Sequence, residues 1–231
     1  MFKNALHPLL HLFIPHQCAG CGSDTMSRQQ VLCMRCINRL PVTSFYNHAN
    51  NPVEKIFWGR IPVTAAASYL YFSKNSVLQH IVHEIKYKGN KELGAFIGRK
   101  MGEALLSAQR FNDVEALVPL PLFAARERKR GYNQASLLCQ GMAEVLKLPV
   151  LTRVIRRHTH SETQTNKNRI DRWLNMQNKF VLQQPDAISN KHILLVDDVI
   201  TTGATLEACG HELLTAPNTR LSIMTMAYTV K

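Results

Sequence analysis

The run HILLVDDVITTGAT, residues 192–205, most restricts the folds open to this chain. Its branched apolar residues leave no polar face, so as a strand it needs cover on both sides, the condition of an inner strand in a mostly parallel sheet. Two carboxylates, Asp197 and Asp198, close the run, and small hydroxylated residues and a glycine follow at once. VTAAASYLYF (63–72), ALVPLPL (116–122) and RLSIMTMAYT (220–229) also suit strands. Between them, Val77, Leu78, Ile81, Val82 and Ile85 recur at helical spacing, as do Leu93, Ile97, Met101 and Leu105, then Leu138, Met142, Val145 and Leu146, with LEACGHELL (206–214) as a further helix. Alternating strands and helices predict an α/β domain over 61–231, a mostly parallel sheet flanked by helices.

A chain of 231 residues, 45% of them hydrophobic, has room for one such domain and a small appendage. The appendage is marked by Cys18, Cys21, Cys33 and Cys36, two C-x2-C pairs separated by eleven residues. Each pair presents two thiolates from one turn, and two such turns complete a tetrahedral zinc site that stabilises a segment with little core of its own. Two disulfides compete for the same spacing but do not persist in a reducing compartment. Four cysteine ligands leave no open coordination position, so the predicted Zn2+ is structural. Cys139 and Cys209 fall in helical patterns and read as small buried hydrophobes. The expected division is a four-cysteine zinc-binding domain over 1–45, a polar linker over 46–60, and the sheet domain over 61–231.

Lys and Arg number 28 against 16 Asp and Glu, a formal charge of +12, which points to a polyanionic partner or substrate, or else to a plain basic surface. Residues 1–15 are interrupted by Pro8 and His11 and carry no small-residue cleavage pattern, so they do not read as a signal peptide. No stretch reaches the ~20 apolar residues a membrane span requires, and the chain reads as cytoplasmic.

Ligands of parallel α/β sheets bind at the carboxyl ends of the strands, where Asp197 and Asp198 fall. The TTGAT turn then leads into a helix whose free N–H groups hold a phosphate. Acids beside a phosphate cradle repel the phosphate unless they face another part of the same ligand. A ribose 5-phosphate meets both demands, with its hydroxyls on the acids. Neither a G-x-x-x-x-G-K-[ST] loop nor a G-x-G-x-x-G fingerprint occurs, so triphosphate and dinucleotide sites lack support.

ILLVDDVITTGAT resembles, along all thirteen residues, the phosphoribosyl pyrophosphate signature of type I phosphoribosyltransferases. That resemblance implies the type I fold, ribose contacts from Asp197 and Asp198, a 5-phosphate wrapped by Val199, Thr201, Thr202, Gly203, Ala204 and Thr205, and Mg2+ on the pyrophosphate. EIKYKGN, VPLPLFAARERKRGYNQA and TQTNKNRIDRWLNMQNKF, together with the cysteine unit, extend the resemblance to the ComF family, also called GntX, associated with natural transformation and DNA uptake. It implies a pyrophosphate turn from Leu120 and Pro121, with Arg130 beyond it and Lys88 as a further phosphate contact. Single-stranded DNA and DNA-uptake helicase or processing proteins are the implied partners.

Arg126, Arg128, Lys129 and Arg130 suit a pyrophosphate or a nucleic-acid backbone, both of which need delocalised charge in fork geometry. For Arg126 and Lys129 a solvated helix face is the alternative. Lys86, Tyr87 and Lys88 end a predicted helix, where lysines also complement the dipole. Between Arg153 and Arg172 six Lys or Arg stand with only Glu162 and Asp171, a composition that suits a flap over a charged ligand. Within it Gln164 and Arg169 match the family pattern, and Arg169 joins the nucleic-acid candidates. Tyr132, Trp173 and Phe180 are candidate stacking platforms, with core packing as the alternative. Three functions follow: a transferase, a phosphoribosyl pyrophosphate binder that also holds DNA, or a scaffold docking a partner through zinc.

Overall fold

The computed structural model describes residues 16–157 and 179–229, apart from 25, 28, 29 and 75. Four parallel strands, β1 (Ala66–Phe72), β2 (Ala116–Pro119), β5 (His192–Ile200) and β6 (Arg220–Thr229), form one sheet in the order β1-β6-β5-β2. A separate antiparallel ribbon pairs β3 (Ile155–Arg157) with β4 (Phe180–Leu182). The helices are α1 (Met34–Asn38), α2 (Pro52–Phe57), α3 (Val77–Tyr87), α4 (Lys91–Leu106), α5 (Ala124–Arg130), α6 (Gln134–Leu146) and α7 (Ala204–Leu213).

β5 lies between β6 and β2, and Ile193, Leu194, Leu195 and Val196 are fully buried. The apolar run is therefore an inner strand, as its lack of a polar face requires. Helix α4 crosses α6 at backbone contact. A Cβ on Gly98 would stand 2.3 Å from the Leu138 carbonyl oxygen, and one on Gly141 would stand 2.0 Å from that of Ala95. Gly94, Gly98 and Gly102 fall four apart, on one face of α4, and that face admits α6.

Where the sequence predicts a linker over 46–60, the chain is folded. A 3-10 turn spans Phe45–Asn47, and α2 follows with Val53 and Phe57 fully buried. Asn51 caps α2 by accepting the N–H groups of Val53 (2.9 Å) and Glu54 (3.2 Å), while its own amide donates to the carbonyls of His48 (3.0 Å) and Ala66 (2.8 Å). Pro52 at the first helical position costs no hydrogen bond. One polar side chain thus ties the segment to β1. Just upstream, Thr43 N–H donates to Tyr69 and Tyr71 N–H donates to Pro41, so residues 41–43 cover the edge of β1.

Candidate functional site

The acids stand at the carboxyl end of β5, and consecutive strand residues face opposite ways. Asp198 Oδ2 pairs with the Lys86 ammonium at 2.7 Å, and its Oδ1 accepts the Val199 N–H at 2.6 Å. Asp197 Oδ1 accepts the Asp198 N–H at 2.8 Å. Burial, then the Asp198 charge, push the Asp197 carboxyl up to about 8, against the pull of that N–H, of Lys86 and of Arg157. A carboxyl so placed gives up its proton when a cation or hydroxyl donors arrive.

Beyond the acids the chain turns into α7. Thr201 and Thr202 are exposed, and Gly203 takes φ 75°, a left-handed backbone that a side chain would strain. Space excludes one as well, because a Cβ there would lie 2.6 Å from Ile56 Cγ2. The first N–H groups of α7 have no partner within the helix and face outward as donors. Asp197, Val199, Thr201, Thr202, Gly203, Ala204 and Thr205 line one open pocket, so the structure brings together the predicted acid and phosphate contacts. Behind the turn stands a residue that sequence reasoning missed. Arg60 Nη1 donates to the carbonyls of Ile56 (3.1 Å) and Thr202 (2.9 Å), and Nη2 pairs with the Glu207 carboxylate.

A cleft of about 450 Å³ opens beside Lys86, lined by Lys86, Tyr87, Gly89, Arg126, Lys129 and Arg130, with no acid among them. The Arg130 guanidinium lies 5.4 Å from the Tyr87 ring centroid and donates to Gln134 Oε1 at 2.7 Å. Arg128 is exposed on the same short helix. Pro121 lines a second cleft, of about 430 Å³, with Asn133, Ser136 and Arg157. Leu120 is buried; its N–H donates to Val196 and its carbonyl accepts from Asn133 Nδ2, so it shapes the turn through its backbone. Two buried donors, Gln134 Nε2 and Arg157 Nε, have no hydrogen-bond partner among the described residues.

Several expectations change on this geometry. The lysine on the acids is Lys86, whereas Lys88 is exposed and pairs with Glu84 at 2.8 Å. Tyr132 is buried and donates its hydroxyl to the Ile85 carbonyl, and Phe180 is buried with the Arg157 guanidinium 5.3 Å from its ring. Neither offers a free face for stacking. Tyr87 is the exposed aromatic on the rim of the cationic cleft, 67% exposed, with the Arg130 guanidinium 5.4 Å and the His83 ring 5.1 Å from its centroid. Gln164, Arg169 and Trp173 lie outside the described residues, as does the expected flap beyond Arg157; within the flap's first part, Ile155–Arg157 is strand β3.

At the other end of the chain the four cysteine sulfurs lie within 4.8 Å of one another, and Cys21 Sγ is 3.8 Å from Cys33 Sγ. A tetrahedron with ~2.3 Å metal–sulfur bonds has edges of about 3.8 Å. Burial pushes the Cys18 thiol up, but backbone N–H donors from Cys33, Cys21 and Gly20 outweigh it and bring the thiol down to about 6. Burial and the neighbouring sulfurs push Cys36 the other way. Gly20 is needed for closure, since a Cβ would meet Cys36 Sγ at 2.9 Å. An all-sulfur donor set of this size, with N–H groups already aimed at one sulfur, could hold a metal ion such as zinc.

The phosphoribosyl transferase domain family matches residues 128–228. Competence protein F of Haemophilus influenzae is 26% identical over 205 residues, 84% of this chain and 89% of that protein. DNA utilization protein YhgH of Escherichia coli K12 is 27% identical over 205 residues, 85% of this chain and 83% of that protein. Competence protein ComFC of Bacillus subtilis is 31% identical over 145 residues, 62% of this chain and 56% of that protein.

Proposed function

From the premise that this chain belongs to the ComF family, we propose that it is a competence-related, phosphoribosyltransferase-like protein that binds phosphoribosyl pyrophosphate with Mg2+ and single-stranded DNA. The observation that carries the reading is the pairing, in one pocket, of a strand-end acid with a left-handed glycine turn at a helix N-terminus. Asp197 and Asp198 accept the ribose hydroxyls, and the N–H groups and hydroxyls from Thr201 to Thr205 surround the 5-phosphate. Arg130 and the Leu120–Pro121 turn supply the positive charge and donors that a pyrophosphate needs. Oxygen donors on the acids and on the ligand suit Mg2+, which when bound neutralises the pyrophosphate. In a transferase the same acids stabilise positive charge developing at the anomeric carbon.

DNA binding rests on the cationic cleft. No acid lines it; Lys86 is held by Asp198, and Arg126, Lys129 and Arg130 make no ion pair among the described residues, so a polyanion releases its own condensed ions on binding there. Arg126, Arg128, Lys129 and Arg130 supply that charge from α5, and Tyr87 supplies the stacking face beside them. Structural Zn2+ on Cys18, Cys21, Cys33 and Cys36 completes the reading.

Calorimetric titration of phosphoribosyl pyrophosphate with Mg2+ tests it, on the wild type and on Asp197→Asn/Asp198→Asn. Binding that disappears in the double variant, with metal content unchanged, supports the site. Folded, metal-loaded wild type that takes up no ligand overturns it. Pyrophosphate in the mixture after DNA or free bases are added identifies a transfer reaction.

A further inference from the structure

We propose that Arg60 is a positioning residue for the phosphate turn, so that the subsite is complete only with the segment that precedes β1. This inference rests on the reading that the turn holds a 5-phosphate. Arg60 stands 142 residues before Thr202, outside the 128–228 stretch that matches the transferase family, and it reaches the turn from the side away from the ligand pocket.

One peptide plane links Arg60 to the cradle. Because the peptide is planar and trans, the Thr202 carbonyl and the Gly203 N–H point in opposite directions. Holding that carbonyl on Arg60 Nη1 at 2.9 Å therefore fixes where the Gly203 N–H points, and that N–H is one of the cradle donors. Left alone, the plane is easily turned over, since glycine populates positive and negative φ about equally. Two further contacts support the hold. Ile56 and Phe57 of α2 press on Gly203, and the same Nη1 is anchored to the Ile56 carbonyl at 3.1 Å, so brace and turn share one rigid backing.

Charge gives Arg60 a second task. Glu207 lies in the first turn of α7, where a bare carboxylate repels a phosphate at the helix N-terminus. Arg60 Nη2 pairs with it. The pair is close to neutral together, so the arginine acts by holding geometry and cancelling an opposing charge rather than by attracting the ligand.

The test separates this role from general stabilisation. Ribose 5-phosphate and Mg2+-pyrophosphate are titrated separately into wild type, Arg60→Met and Arg60→Lys, with thermal midpoint and metal content recorded. Ribose 5-phosphate affinity is expected to fall about tenfold in Arg60→Met, with pyrophosphate affinity within twofold of wild type. Amide exchange at Glu207, whose N–H donates to the Gly203 carbonyl at 2.8 Å, speeds up in parallel. Arg60→Lys keeps the charge opposite Glu207 but lacks the fork, so it recovers little of the loss. If Arg60→Met does not fold, Arg60→Lys carries the same comparison. Unchanged ribose 5-phosphate affinity overturns the inference, and so does an equal loss for both ligands, which marks a purely structural role. Wild type that binds pyrophosphate but not ribose 5-phosphate overturns the phosphate-turn reading itself, and the inference with it.

Discussion

The two ends of the central sheet both hold charge close to the core, and they hold it in opposite ways. At the amino end, His192 is fully buried at the start of β5. Its Nδ1 meets Asp113 Oδ1 at 2.9 Å, its Nε2 meets Ser222 Oγ at 2.9 Å, and Arg220 takes Asp113 Oδ2 at 2.7 Å. The order Asp-His-Ser is that of a hydrolase triad, but Ser222 is fully buried and no substrate reaches its hydroxyl. At the carboxyl end two acids sit side by side, a cationic cleft has no lining acid, and the buried donors of Gln134 and Arg157 lack partners. Charge occurs at both ends. Among the described residues, unfilled hydrogen-bonding capacity occurs at one, and that is the mark of a ligand end.

The strongest way to break this contrast is to truncate one group at each end. His192→Ala leaves a cavity and strips buried Ser222 of its partner, so it is expected to cost about 3–4 kcal/mol of unfolding free energy. Ligand affinity of the folded fraction stays at the wild-type value. Asp198→Asn is expected to do the reverse, with stability within about 1 kcal/mol of wild type and phosphoribosyl pyrophosphate affinity about 100-fold lower, roughly 2.7 kcal/mol. Urea denaturation and calorimetry on both variants read the two quantities. Affinity lost at His192 or stability lost at Asp198 would erase the distinction between the ends.

Proton binding sharpens the same contrast. Burial pulls His192 below its ordinary value, and Asp113 restores it only in part; Arg220 adds to the fall, and Glu115 opposes it. The unfolded chain therefore binds this proton more readily than the folded one. The stability that neutral His192 contributes is full above about pH 6.5 and is lost as pH falls through its folded value. Partial desolvation pushes the exposed Asp113 carboxyl up, but Arg220 and His192 outweigh it and hold it below its ordinary value, so its contribution is lost at still lower pH. Because the Asp197 carboxyl, pushed up to about 8, titrates in the same range, the difference in urea midpoint between wild type and His192→Gln isolates the histidine. That difference should be constant from pH 7 to 8 and change below about 6.5, wild type losing the more. A midpoint that falls equally in both proteins would locate the titrating group elsewhere.

How much of this was legible in the sequence follows from the range of the forces involved. The β5 run declares itself because burial on both faces leaves a local pattern, and the cysteine pairs do so because two ligands from one turn fix a spacing. Helix α2 leaves almost none. Its Val53, Ile56 and Phe57 occupy six residues between a proline and a glycine, too short for a period to emerge. Arg60 is invisible for another reason, since its partners Thr202 and Glu207 are brought to it only by the completed fold. The four-residue glycine spacing at Gly94, Gly98 and Gly102 was a usable signal for a close helix crossing. Lys86 and Lys88 show the limit of element-level reading. Lys86 lies in the last turn of α3 and Lys88 caps it, yet at ~100° per residue they point roughly 200° apart, and only the phase of the helix decides which one meets the acids.

That phase supplies the smallest prediction. Lys88 is exposed and bound to Glu84 one turn back, so Lys88→Met should change stability and ligand affinity by no more than about 0.5 kcal/mol. Lys86 is mostly covered, and its charge is among those that draw the Asp197 carboxyl down from where burial and Asp198 push it. Without Lys86 that carboxyl holds its proton more tightly, and a protonated carboxyl accepts ribose hydroxyls poorly. Lys86→Met should therefore weaken phosphoribosyl pyrophosphate binding at pH 7 by a factor of about two to five, roughly 0.5–1 kcal/mol. The deficit should shrink at pH 9, where Asp197 ionises in either protein. Calorimetry at the two pH values reads this directly. Tighter binding at both would mean instead that Lys86 competes with the ribose for Asp198, and the carboxyl end would then hold one charge pair as self-satisfied as those around His192.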